Sequence, residues 1–357
     1  MDLQLLEQLT TTPGVAGREH RIRNFIADQT ADLFDESFVD ELGNLHGILR
    51  PKPKPSKSKK KKNTAAPKKI MIAAHMDQIG FMVRHVGDDG FLRLQNIGGF
   101  DPRNLFARVV TVHPDLNDPR KDLDGIMNPE GRPIHIATED EKKKIPDVSE
   151  FIVDLGLAPA AVKKKIKIGD MVTLKAPVYQ IGNLICSQCL DNRIASYIAI
   201  RALRNLKYHA CEIHMVFTVQ EEVGLRGAGP AVYQVQPDVA ISLDTTVCCD
   251  LPGVPPKDRC TISGDGVGLN VLDSAAIVDF ELLEEFDALA KQKKIKAQRT
   301  MLHRGGTDAG PLQRTAAGSR VMTILTPTRY IHTVTEAVHK NDVAAAEKLL
   351  IAYLERA

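Results

Sequence analysis

The sequence contains no tryptophan and only six cysteines in 357 residues. Six are too few to staple a chain of this length, so a disulfide scaffold is excluded and reduced thiols are expected. No apolar run approaches the ~18 residues that a membrane-crossing helix needs. Met1-Asp2-Leu3-Gln4 offers neither the basic nor the apolar region of a signal peptide, and the expected location is cytoplasmic. His-Glu-x-x-His and the P-loop are both absent. Gly264-Asp-Gly-Val-Gly268 does not open a helix after a strand, as a dinucleotide fingerprint must. A large net charge is missing too, with 47 basic side chains against 45 acidic ones.

That near-balance conceals an uneven distribution. The stretch from Pro51 to Lys69 holds nine lysines, four prolines and no acid. Removing its nine charges from the total of +2 leaves the other 338 residues at −7. Such a segment buries nothing apolar and is expected to be a disordered loop. It lies between two extended-looking segments, Gly43–Arg50 and Ile70–Ala74, and reads as an expanded hairpin connection. Clustered lysines attract phosphate without sequence preference, so nucleic acid or another polyanion is a candidate partner for residues 51–69. No aromatic side chain is interleaved there, and base stacking has no platform.

The rest of the chain is long enough for about two domains with real cores. Leu3, Leu5, Leu6 and Leu9 predict a first helix, stopped by Pro13-Gly14, and Ile22, Phe25, Ile26 and Leu33 predict a second. Ile70–Ala74, Ile213–Val219, Val239–Leu243 and Val321–Leu325 are short, nearly continuous apolar runs, the signature of strands buried on both faces. Helical periods follow over Ile194–Leu206, Phe280–Lys291 and Val343–Leu354. Strand alternating with helix predicts an α/β fold with the sheet covered on both sides. Residues 84–177 are different: glycine-rich, with short β-type runs such as Arg108–Val112. They read as a small β-rich domain inserted into a catalytic α/β domain formed by residues 1–83 and 178–357.

Metal-ligand residue types follow the buried runs. Ile70–Ala74 leads to His75 and Asp77, Ile213–Val219 to Glu221-Glu222, Val239–Leu243 to Asp244, and Val321–Leu325 to His332, while Asp191 precedes a helix. Ligands of open α/β sheets bind beyond the carboxyl ends of the strands. His75 and Asp77, two apart on an extended chain, point the same way, so the carboxylate can orient the imidazole. Adjacent Glu221 and Glu222 diverge, so one can bind metal while the other stays free as a base. Two imidazoles and three carboxylates exceed the needs of one zinc ion but suit a pair sharing a carboxylate. Each residue alone is ordinary; their joint placement is not.

These motifs bear a family likeness. AAHMDQIGFMV (73–83), LDNR (190–193), TVQEEVGLRGA (218–228), SLDTT (242–246), GGTDAG (305–310) and RYIHTVTE (329–336) resemble the dinuclear metallo-aminopeptidases of the tetrahedral, or glutamyl aminopeptidase, family. TTPGVAGRE (11–19), IGGFDP (97–102) and FIVDLG…IKIGD (151–170) match in order, so the resemblance spans the chain. It implies a three-layer α/β/α sheet of zinc-exopeptidase type. One ion would be held by His75 and Asp244, the other by Glu222 and His332, with Asp191 bridging. Glu221 would be the general base and Asp77 the partner of His75. Thr307 and Asp308 are candidate substrate contacts.

The resemblance further implies two divalent ions per subunit, zinc or cobalt, and a cis peptide bond after Asp191. It implies short peptides as substrates, and a homo-oligomer growing from dimers to a dodecamer through the β-rich insert. Members once labelled endoglucanases leave a rival open, an amidohydrolase, deacylase or sugar-derivative hydrolase on the same scaffold. A non-enzymatic polyanion binder is a second rival. The chain also departs from the family pattern. Gln78 replaces a usual Glu, Gln188 a common Lys, and Thr333-Val334-Thr335 a Ser-Pro turn, although Glu336 keeps its place.

Overall fold

The computed structural model describes residues 1–55 and 66–357. The chain opens with helices α1 (Leu3–Thr11) and α2 (His20–Thr30), then strands β1 (Glu36–Val39), β2 (Leu45–Leu49) and β3 (Lys69–His75). Six strands follow: β4 (Gly80–Val86), β5 (Leu92–Ile97), β6 (Arg108–His113), β7 (Leu123–Pro129), β8 (Phe151–Asp154) and β9 (Met171–Leu174). Two short helices, α3 (Glu139–Lys143) and α4 (Pro159–Lys165), interrupt them. The chain continues through β10 (Tyr179–Ile181), β11 (Leu184–Ser187), α5 (Leu190–Asn205), β12 (Glu212–Thr218), α6 (Ala228–Val235) and β13 (Val239–Val247). It ends with β14 (Val267–Leu272), α7 (Phe280–Lys293), β15 (Ala297–Met301), α8 (Ala309–Arg314), β16 (Arg320–Arg329), β17 (Glu336–His339) and α9 (Lys340–Leu354).

The four apolar runs singled out in the sequence become the centre of one mixed sheet. β12, β3, β13 and β16 lie side by side and parallel, and antiparallel strands extend the sheet on both flanks. Alternation along the strands distributes the core. Ile70, Ile72 and Ala74 join a cluster with side chains of α1, α2, α5, α7 and α9, whereas Met71 and Ala73 join one with α6 and α8. The result is the expected three-layer α/β/α arrangement. The helices of the second face were not legible as periods, because α6 and α8 are short and each carries a Gly-Pro pair in its first turn.

Between β3 and β10 the chain builds a separate closed barrel in the order β4-β5-β8-β7-β6-β9. The barrel has its own core, including Phe81, Leu94, Val110, Met127, Phe151 and Val172. One connection differs from expectation. β2 and β3 are not a hairpin, because β12 lies between them, antiparallel to β2 and parallel to β3. A tight turn forces its two strands to pair, but a connection as long as residues 50–68 leaves that slot open. The more continuously buried β12 takes it. The expected disorder of the Lys-rich segment and its polyanion reading fall chiefly on residues 56–65, outside the described residues. No described helix is long and apolar enough to cross a membrane.

Candidate active site

The four parallel strands run in the same direction, so their carboxyl ends converge on one cleft. β3 ends at His75, the loop after β12 carries Glu221 and Glu222, β13 carries Asp244, and the turn after β16 carries His332. Asp191 arrives from the other side, at the start of α5, and its bond to Asn192 is cis. The cleft encloses about 450 Å³, within the range of small-molecule sites. Away from the acidic cluster its wall is mostly apolar, with Leu225, Val247, Leu302 and Ile331 among the lining residues.

Asp191 stands at the centre of the cluster. Its Oδ1 lies 3.3 Å from His75 Nε2, and its Oδ2 lies 3.5 Å from His332 Nε2. Asp244 Oδ1 is 3.7 Å from His75 Nε2, and Glu222 Oε2 is 3.3 Å from His332 Nε2. Two groups of candidate ligand atoms therefore form, His75–Asp191–Asp244 and Asp191–Glu222–His332, each within 4.8 Å and sharing Asp191. Asp191 Oδ1 and Glu222 Oε1 are buried without a hydrogen-bond partner among the described residues. Buried carboxylate oxygens with no donor to satisfy them, in a cluster that also holds two imidazoles, fit a cationic occupant. Imidazole with carboxylate is a donor set for zinc or cobalt.

The charges are strongly interdependent. Burial alone would lower the His75 pKa, but Glu221, Asp191, Asp244 and Asp77 together hold it well above the ordinary imidazole value. His332 is raised to about 11, where Asp191 and Glu222 outweigh burial. Burial pushes Asp244 up to about 7 and holds Glu221 well above the usual carboxylate range. Asp191 goes the other way. Burial would raise it, but the two imidazoles outweigh that and keep it below its ordinary value.

Two further carboxylates hold the backbone of this cluster. Asp77, fully buried, lies 3.4 Å from His75 Nδ1 and accepts the amides of Glu221 and Glu222 at 3.0 and 3.1 Å. Glu336, on β17, accepts the amides of Asp191 at 2.9 Å and His332 at 2.7 Å. Asn44 ties both ends of the Glu221–Glu222 loop, accepting from the Val219 amide and donating to the Gly227 carbonyl. Glu19 accepts the Gln220 amide, and Gln220 has a φ of +56°. Glu336, Asn44 and Glu19 were not singled out as site residues. The only signal for Glu336 was its kept place in the last motif.

Thr307 lines the cleft and donates to Asp273 Oδ2, whereas Asp308 is placed beneath the cleft, 1% exposed, and accepts from Thr218 Oγ1. Cys186 and Cys189 are buried free thiols, and burial pushes both above the ordinary thiol pKa. Gly264 and Gly266 form a turn whose amides are held by Asp342.

The profile of the M42 glutamyl aminopeptidase family matches residues 57–349, which takes in every member of this cluster. The chain belongs to that family. A putative aminopeptidase of Acetivibrio thermocellus is 34% identical, over 97% of this chain and 96% of that one. Aminopeptidase APDkam598 of the archaeon Desulfurococcus kamchatkensis superposes with a TM-score of 0.90 at 32% identity, over 99% of this chain and 94% of that structure. The TET1 peptidase of Pyrococcus horikoshii, which can assemble into a tetrahedron or a large octahedral shell, gives 0.83 at 27% identity, over 99% and 98%. This M42 member is thus a peptidase, a metal-dependent hydrolase of the aminopeptidase type.

Proposed function

We propose that the chain removes N-terminal residues from short peptides, using two divalent ions held by the cluster centred on Asp191. The observation that carries this reading is the shared carboxylate, with its two oxygens directed at two imidazoles, one at the end of β3 and one in the turn after β16. His75, Asp191 and Asp244 would hold one ion, and Asp191, Glu222 and His332 the other. When bound, such ions acidify a water molecule and polarise the scissile carbonyl.

The chain's own groups do the rest. Glu221 faces the same cleft, with Oε2 3.7 Å from His75 Nε2, and belongs to neither ligand group. It accepts the proton of the attacking water and later delivers it to the leaving amine. Its raised affinity for a proton, caused by burial, suits that second role. Asp77 orients His75 and fixes the Glu221 backbone. Thr307 on the cleft wall is a substrate contact.

Residues 84–177, which include all of the barrel except the first four residues of β4, act as the assembly domain. Its exposed apolar side chains Val109 and Ile126 lie opposite each other on paired strands and offer a surface for a second copy. We take the assembly to be a homo-oligomer of the kind its solved relatives form.

A panel of aminoacyl-p-nitroanilides beside N-acylated amino acids tests the reading. Release from the free-amine substrates, lost on chelation and restored by zinc or cobalt, is expected. Release from the acylated set alone would overturn it in favour of a deacylase.

A further inference from the structure

Glu336 is a buried carboxylate placed where two ligand-bearing segments meet. It opens β17, paired opposite Ser187 at the end of β11, four residues before Asp191. Its own turn, from Arg329 to Glu336, carries His332 at a φ of +63°, a backbone region that L-residues with side chains rarely adopt. One oxygen accepts the Asp191 amide and the other accepts the His332 amide. Asp191 and His332 are joined by no backbone–backbone hydrogen bond to each other among the described residues. Glu336 therefore bridges the backbones of Asp191 and His332 directly, beyond the β11–β17 ladder, and their side chains meet at 3.5 Å.

We infer that Glu336 is a positioning residue for one half of the metal centre, the half formed by Asp191, Glu222 and His332, which goes beyond the proposed function but rests on its two-ion site. The chemistry requires a carboxylate. Both groups that Glu336 meets are N–H donors, so it needs two acceptor oxygens. A glutamine offers one oxygen and one NH2, and must leave one buried amide facing a donor. The His75–Asp244 half shares only Asp191 with this device, and its other ligands are on β3 and β13. Loss of Glu336 should therefore fall unequally on the two ions. Residues that orient metal ligands from behind typically change affinity 10–100-fold.

Asp342 supplies a matched control. It is fully buried and accepts two backbone amides, from Gly264 at 2.7 Å and Gly266 at 2.8 Å, but neither belongs to a ligand segment. Full-length protein, Glu336→Gln and Asp342→Asn are stripped of metal and titrated with zinc by calorimetry, with bound zinc counted by mass spectrometry and folding followed by circular dichroism. The parent protein should take up two ions. Glu336→Gln should keep one near the parent affinity and bind the second at least tenfold more weakly, while Asp342→Asn keeps both. Two undisturbed ions in Glu336→Gln would overturn the inference, as would equal weakening in Asp342→Asn. If Glu336→Gln does not fold, Glu336→Asp is titrated in its place, and failure of both to fold would make Glu336 a structural residue and overturn the inference too. Fewer than two ions in the parent protein would instead count against the proposed two-ion function itself.

Discussion

Asp77 accepts the amide hydrogen of Glu221 at 3.0 Å, across 144 positions of sequence. The residue that stands behind the His75 imidazole thereby also fixes the backbone of the proposed base. The proposed ligand and the proposed base share one support, so disturbing it should move both.

Asp77→Asn tests that coupling. An amide side chain cannot accept from the Glu221 and Glu222 amides on both atoms, so one buried N–H loses its partner. The imidazole also loses its carboxylate neighbour at 3.4 Å. We expect metal affinity at the His75 half to fall by about 10–100-fold and kcat to fall even when metal is saturating. Full recovery of kcat at high zinc would show that Asp77 acts through His75 alone.

Glu221→Gln separates chemistry from metal binding. Glu221 lies outside both ligand groups, so the variant should bind the same number of ions as the parent protein. Its turnover should drop by about 10²–10⁴, the usual contribution of a positioned acid–base group. Steady-state kinetics beside metal counting gives the answer, and near-normal turnover would remove Glu221 from the mechanism.

The pH dependence of metal uptake has a definite sign. In the metal-free protein His332 is raised to about 11 and Asp244 to about 7. Both carry protons near neutrality that a metal ion must displace, so affinity climbs as pH rises. Each proton released makes about a tenfold change in affinity per pH unit. Stability of the metal-free fold moves oppositely. Asp244 has a folded pKa of about 7, above the ~4 of unfolded carboxylates. Its stabilisation is complete below that value and is lost as pH climbs through 7. Chelated protein should therefore melt lower at pH 8.5 than at pH 5.5. Calorimetry in buffers of different ionisation heat counts the protons, and a count of zero would contradict the assignment.

How far the sequence exposed this site follows from the kind of contact involved. His75, Glu221, Glu222 and Asp244 follow continuous apolar runs, and a buried parallel strand can deliver such residues only to its carboxyl end. The three-layer fold was legible for the same reason. Glu336 and Asn44 act by side-chain bonds to backbone amides 145 and 175 residues away, which no periodicity encodes. The place of β12 between β2 and β3 was equally invisible, because a long connection constrains neither strand order nor pairing. Asp308 shares a motif with Thr307 yet turns down to Thr218, and only the local backbone decides that.

Gln78 and Arg193 lead to the last prediction. The Arg193 guanidinium is fully buried and donates to the carbonyls of Leu9 and Thr12 and to Gln78 Oε1. Burial lowers its pKa to about 10, and no carboxylate forms a salt bridge with it among the described residues. Arg193→Met would leave the two carbonyls without their donor and should lower stability by about 2–4 kcal/mol, judged from the cost of unpaired buried groups. Gln78→Glu should do the reverse. It places a carboxylate where an amide oxygen now lies 3.2 Å from Nη2, and a charge-assisted hydrogen bond is stronger than the neutral one it replaces. An increase on the order of 1 kcal/mol is expected, read from urea denaturation of chelated protein. A lower midpoint for Gln78→Glu would mean that repulsion from the adjacent Asp77 outweighs the new pair, and that the glutamine is what lets a buried cation and the acidic centre coexist.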